Sequence, residues 1–210
     1  METKERIIAL LTGTKRNGID SLIDYLITEG FFESPASTKY HGCYKGGLAD
    51  HSINLYDMLA TNYPLAINKG TGMGQKPLPI DENTYVIAAL LHDVCKIGAY
   101  RGSSEPYAWN PYQPKGHALL SIERIKKFIE LTPLEELMIR FHMGVYGLDE
   151  FAPGKGEYNL RGDDSLPKEE RYGKSLANAW YHNPIVKVMY FCDEIETLND
   201  KITKLTNVQM

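Results

Sequence analysis

Apolar residues recur along this chain at helical spacing. Ile19, Leu22, Ile23, Leu26 and Ile27 share one face and predict a helix over 19–32. Leu48, Leu55, Met58 and Leu59 form a second stripe and predict a helix over 47–63. The Gly- and Pro-rich stretch 64–79 reads as a loop. A third helix starts near Asp81 and takes in TYVIAALLHDVCKI, with Asp81, Asn83 or Thr84 available as N-cap. Residues 85–91 are apolar on every side, which places this helix in the core. A buried strand shares that signature, but Asp81, Glu82 and the two alanines favour helix.

Residues 99–116 carry Pro106, Pro111 and Pro114 among aromatics and read as a loop with room for a short hairpin. Amphipathic helix returns over 117–131. The next helix, 134–143, has Thr132 as N-cap and Pro133 in its first turn. A polar, Gly-rich loop spans 144–171, and final helices are predicted over 175–181 and 184–205. Strand signals are sparse, so the fold class is all-α.

Composition narrows the function. A hydrophobic fraction of 43% over 210 residues supports a real core. A net charge of -4 argues against a dedicated nucleic-acid scaffold, yet leaves a nucleotide substrate open, since a metal supplies positive charge locally. Three widely spaced cysteines, Cys43, Cys95 and Cys192, do not read as a disulfide framework and fit a reducing compartment. The apolar run 7–11 is too short for a signal peptide or a membrane span. The expected location is the cytoplasm, with no membrane partner.

Six side chains then stand out as a set: His51 in GGLADHS, His92 and Asp93 in LLHDVCKIG, His117 in KGHALL, His142 in IRFHMG and Asp193 in YFCDEIET. Each lies in, or at an end of, a predicted helix. Their gaps suit successive helices of a bundle, each offering ligands to a common centre. Imidazole binds most divalent first-row metals, and a carboxylate adds charge and can bridge two ions. Any one histidine alone reads as a hydrogen-bonded core or surface residue, and Asp193 alone as a solvated carboxylate. The ordered set changes that reading. The chain drives TYVIAALL into a core and ends it with an imidazole and a carboxylate. A buried charge without a partner is costly, and a metal removes that cost.

The set resembles the HD superfamily of metal-dependent phosphohydrolases, whose pattern is a His, then His-Asp, then a distant Asp on a helical bundle. His51, His92–Asp93 and Asp193 match it. LHDVCKIG is similar to the family's His-Asp, Ile-Gly-Lys type sequence, with Lys96 in the expected place, and GGLADHS to its Gly-Gly-Leu-x-x-His entry. His117 and His142 match the subset that binds two metals. The resemblance covers roughly residues 40 to 205. It implies an HD-like bundle around a buried metal site, with a helical extension over 1–40 packed on a domain over 41–210. It implies one or two divalent ions (Mn, Fe, Co, Ni, Mg or Zn), the first on His51, His92, Asp93 and Asp193, with Asp93 bridging to a second on His117 and His142. A metal-activated water would attack phosphorus. Asp93 and Lys96 are the catalytic residues it implies. Lys96, one turn after Asp93, either contacts substrate phosphate or is a surface lysine near a helix end.

Other residues are looser. Arg101, Lys115, Arg140 and Tyr146 are candidate substrate contacts, although a solvated surface role suits the three basic side chains better. Lys155, Arg161 and Arg171 are weaker candidates still. Tyr107, Trp109 and Tyr112 form either an aromatic lid or a small packed cluster. His41 and His182 match no motif position and read as non-ligands. Cys95 and Cys192 read as small core residues.

The leading function is hydrolysis of a phosphate ester or diester, with a small molecule, above all a nucleotide, as partner. The same six-ligand set occurs in mixed-valent di-iron oxygenases of the HD type, and ligand identity does not separate the two. Hydrolysis is the commoner use and is therefore preferred. A non-catalytic HD-fold module would be expected to have lost a ligand. A single-strand-specific nuclease lacks support from any basic patch.

Overall fold

The computed structural model describes residues 1–38, 41–69, 80–102, 106–113, 116–144 and 176–207. They are mostly helical. In chain order the helices are α1 (Thr3–Gly13), α2 (Ile19–Thr28), α3 (Gly47–Lys69), α4 (Glu82–Leu91), α5 (His117–Ile125), α6 (Pro133–Phe141), α7 (176–182) and α8 (Pro184–Asn207). A 3-10 turn, Val94–Lys96, follows α4. The hairpin expected in 99–116 is present: β1 (Tyr100–Arg101) pairs antiparallel with β2 (Ala108–Trp109), Tyr100 opposite Trp109.

α4 is the axis of the molecule. Every residue from Thr84 to Leu91 is buried, as its unbroken apolar run dictates. α3 packs on one flank and α6 on another, α8 packs on both α3 and α6, and α5 packs on α6 and the 3-10 turn. Asp81 caps α4 by accepting from the Asn83 backbone N–H at 3.0 Å. Asp81→Ala is expected to lower the unfolding free energy by about 1 kcal/mol. Urea titration measures this, and an unchanged midpoint would show that the cap is dispensable.

The structure corrects several boundaries. α1 was not expected as a separate helix. Its signal is short, but Ile7 and Leu11 are one turn apart and fully buried. Arg6 forms a bidentate pair with Asp57, and Thr3 donates to Asp50 at 2.8 Å, which ties α1 to α3. Ile7, Leu11, Leu22 and Leu26 share one hydrophobic cluster with Leu55, Leu90 and Met189, so the first 40 residues contribute to the common core. α2 stops at Thr28, four residues before the expected end. α3 continues past Pro64 to Lys69. Proline removes one helical hydrogen bond, and the packing of a long helix outweighs that loss. The rest of the expected loop, 70–79, lies outside the described residues, as does 145–171.

Two further helices are shorter than their patterns suggest. The α-helical part of the third predicted helix ends at Leu91, because the chain tightens into the 3-10 turn. α5 ends at Ile125, after which 126–128 form turns that bring Ile129 into the core. The turn also accommodates Gly18, the N-cap of α2. Gly18 has φ 85°, and a Cβ there would overlap the carbonyl of Phe128. No helix among the described residues is long and apolar enough to cross a membrane.

Candidate metal centre

Five elements deliver the six expected side chains to one place. His51 comes from α3, His92 caps the C-terminus of α4 and Asp93 follows it. His117 opens α5, His142 caps α6, and Asp193 lies on α8. His51, His92, Asp93 and His142 are almost completely buried. Neighbours on a helix would diverge by about 100°. Asp93 leaves helical geometry, at φ -108° and ψ 17°, and its Oδ2 lies 3.2 Å from His92 Nε2.

The carboxylate of Asp93 is the hub. Its Oδ2 faces His92 Nε2 and, at 3.6 Å, His51 Nε2. Its Oδ1 lies 2.7 Å from His117 Nε2 and 3.7 Å from His142 Nε2. Asp193 Oδ1 approaches His51 Nε2 at 3.2 Å and His92 Nε2 at 4.0 Å. All four imidazoles therefore present Nε2 to the centre.

Their Nδ1 atoms are held from behind. His92 Nδ1 donates to the Ala89 carbonyl at 2.9 Å, and His142 Nδ1 to the Ile139 carbonyl at 2.6 Å. His51 Nδ1 pairs with Glu196 at 2.5 Å, and His117 Nδ1 with the Cys95 sulfur at 3.2 Å. Such partners fix ring orientation and leave Nε2 free as a ligand atom. A carbonyl only accepts, so His92 Nδ1 carries a proton and Nε2 is the ring nitrogen turned to the centre. It faces His51 Nε2 at 3.1 Å. A shared proton or a metal ion reconciles two ring nitrogens that close in a buried site.

Groups of ligand atoms lying within 4.8 Å of one another are His51, His92 and Asp193; His92, Asp93 and His142; Asp93, Cys95 and His117; and His41, His51 and Glu196. The first two combine imidazole with carboxylate and fit a divalent first-row ion; the third adds a thiol, softer and suited to zinc. No family model, curated protein or solved structure matches the chain.

The imidazoles and carboxylates of the centre shift one another's ionisation. Burial alone would lower the His51 pKa, but hydrogen bonds to Asp193 and Glu196 outweigh it and hold it at about 9. Burial likewise opposes charge on His117, and Cys95 and Asp93 raise it well above the ordinary value. Burial and the nearby His92 push His142 down to about 3. Burial disfavours the Asp93 carboxylate, yet His92 and Lys96 hold it well below the usual range. Asp193 is also low, because the His51 hydrogen bond outweighs its burial.

A pH dependence follows from these directions. His51 and His117 bind protons at neutral pH, and a ligand imidazole must give its Nε2 proton up. Metal uptake is expected to release protons and to tighten as pH rises from 6 toward 9. Calorimetry in buffers of different ionisation enthalpy counts those protons. Uptake with no proton release would exclude His51 and His117 as ligands.

Lys96 belongs to the site and is not a surface lysine. Its Nζ lies 2.6 Å from Asp93 Oδ2, with the side chain 11% exposed. Burial opposes its charge, and Asp93 overrides that and raises its pKa. The turn carrying it is clamped from α5 and the hairpin. Arg124 donates to the carbonyls of Val94 at 2.9 Å and Ile97 at 3.0 Å, and Gln113 donates to that of Cys95 at 2.7 Å.

The other expected contacts lie elsewhere. Arg101 is exposed on the hairpin, donating to Asn110 and lying over the Tyr112 ring. Arg140 sits on α6, facing a groove with Lys126 and Glu136. Tyr107 is buried, whereas Trp109 and Tyr112 are exposed. Lys115, Tyr146, Lys155, Arg161 and Arg171 lie outside the described residues.

Sequence reasoning missed two residues of the site. Glu196 was detectable, because it lies one turn after Asp193 on the same helix face. His41 was set aside, yet it lines the cavity at the centre, with its ring 4.7 Å from that of His51. It sits in a loop, where no periodicity announces a direction.

Proposed function

We propose that the chain is an HD-type, metal-dependent phosphohydrolase that cleaves a phosphate ester of a nucleotide or other small molecule. The observation that carries the metal is the 3.1 Å approach of His51 Nε2 to His92 Nε2 beside the Asp93 carboxylate. His51, His92, Asp93 and Asp193 would hold one ion, and Asp93, His117 and His142 a second. The opposite facing of the two Asp93 oxygens supports that division. When bound, the ions supply a water acidic enough to attack phosphorus at neutral pH.

The chain's own groups support an anionic substrate. Lys96 keeps its positive charge at the cavity, where it can hold a phosphoryl oxygen. Arg124 and Gln113 keep the turn of Lys96 in place. The cavity measures about 180 Å³. Pockets for whole drug-sized ligands run to about 300–1,000 Å³. The space suits a phosphoryl group, with the remainder of the substrate reaching outward. The three widely spaced cysteines of the sequence fit a reducing, cytoplasmic setting.

Elemental analysis of the purified protein, followed by a phosphate-release screen over nucleotides, tests the proposal. Mn, Co, Ni, Mg or Zn at one or two ions per chain, with phosphate release, is the expected result. Two irons per chain with oxygen uptake would replace it by the oxygenase reading. No metal after soaking would overturn both.

A further inference from the structure

His41 is a side chain that the fold positions with care and leaves without a hydrogen-bond partner among the described residues. Its loop is closed by the Ala36 N–H donating to the Gly42 carbonyl at 2.8 Å. The Ser37 hydroxyl donates to the His41 carbonyl at 2.8 Å, and the Tyr100 hydroxyl to that of Ala36 at 3.2 Å. Gly42 adopts φ 56°, and a Cβ on Gly47 would overlap the Gly42 carbonyl, so the loop lies directly on the start of α3. The GG of GGLADHS thus serves close backbone approach, and that approach sets His41 beside His51.

Both ring nitrogens of His41 are shielded from solvent, and neither has a hydrogen-bond partner among the described residues. Buried polar groups are normally paired, and one unpaired among the described residues and lining a cavity is available to a ligand that enters it. The same cavity is lined by Lys96, Asp93 and His142. An imidazole and an ammonium lining one cavity can both hydrogen-bond the oxygens of an anionic group.

A metal is the competing partner, because His41 can group with His51 and Glu196. Glu196 already holds His51 Nδ1 at 2.5 Å, so an ion bound through that nitrogen would compete with Glu196 for it. An ion there would have to break the contact that orients His51. We therefore propose that His41 is a substrate-contacting residue, hydrogen-bonding an oxygen of the phosphoryl group that enters beside the metal centre. This inference rests on the phosphohydrolase reading.

The test uses the metal-loaded protein and inorganic phosphate as the probe, with calorimetry for affinity, elemental analysis for metal and thermal unfolding for the fold. His41→Ala is expected to weaken phosphate about tenfold, the upper range for one hydrogen bond. Metal content and melting temperature should stay as in the wild type. His41→Asn, which keeps a donor and an acceptor, is expected to recover part of the affinity. Equal phosphate affinity in wild type and His41→Ala would overturn the inference and leave the phosphohydrolase reading standing. Loss of an ion in the variants would overturn it by making His41 a ligand. A collapse of melting temperature in both variants would overturn it by making His41 structural. A wild type that binds no phosphate would remove the phosphohydrolase reading itself, and this contact with it.

Discussion

Asp93→Ala is expected to abolish metal binding and to destabilise the metal-free protein as well. The carboxylate faces all four imidazoles and is shared by both proposed ions, so its removal leaves neither ion its full set of ligands. It is also the partner of Lys96, whose Nζ lies 2.6 Å away in a nearly closed site. Removing one member of a buried ion pair leaves the other charge uncompensated, at about 3–5 kcal/mol. Urea unfolding of the metal-free variant measures this. Adding Lys96→Met should restore much of the stability by removing the orphaned ammonium, while metal binding stays lost. The double variant separates the two roles. Recovery of metal binding in it would show that Asp93 is not a ligand, and equal instability in both variants would show that the cost does not arise from Lys96.

Glu196→Gln is expected to weaken one metal site by about 10–100-fold and to leave the other unchanged. Glu196 touches His51 from behind, at Nδ1, and orients the ring whose Nε2 faces His92 and Asp193. Loss of a carboxylate that positions a ligand imidazole has effects of that size. His117 and His142 are oriented instead by Cys95 and the Ile139 carbonyl, so the site they share with Asp93 should keep its affinity. Metal titration resolves the two. The variant should also release fewer protons on metal uptake, because a neutral amide no longer holds the His51 proton. Equal weakening of both sites would contradict the division of ligands, and no weakening would make the His51 contact incidental.

Much of this was legible in the chain. The apolar run of α4 demanded burial from every side, and a buried segment ending in His92–Asp93 demanded compensation. Thr132 and Pro133 announced the start of α6, where the structure adds Glu135 to complete a capping box. The six-residue set was visible as a pattern of residue types, and the structure gathers all six in one place, with four imidazoles around the Asp93 carboxylate and Asp193 against two of them. These are local signals: periodicity, caps and chemistry that a core does not tolerate unpaired.

The remainder needed the tertiary fold. α1 has too short an apolar stripe to stand out, and it is held by pairs to α3 that no local pattern contains. The 3-10 turn at Val94–Lys96 ends an otherwise continuous helical pattern, because Arg124 and Gln113, distant in sequence, take its carbonyls. That turn aims Asp93 back at His92 and buries Lys96 beside it, which decides a question the spacing left open. The partners of the histidines come from three kinds of source: a carboxylate on α8, a thiol after α4 and carbonyls of their own helices. His41 enters the cavity through a loop whose direction is set by two glycines packed against each other. By itself the sequence determined the helical class and the residue types that must meet, because burial and helical period are properties of neighbouring residues. Tertiary structure alone decided which atoms face one another, because that depends on how distant segments pack.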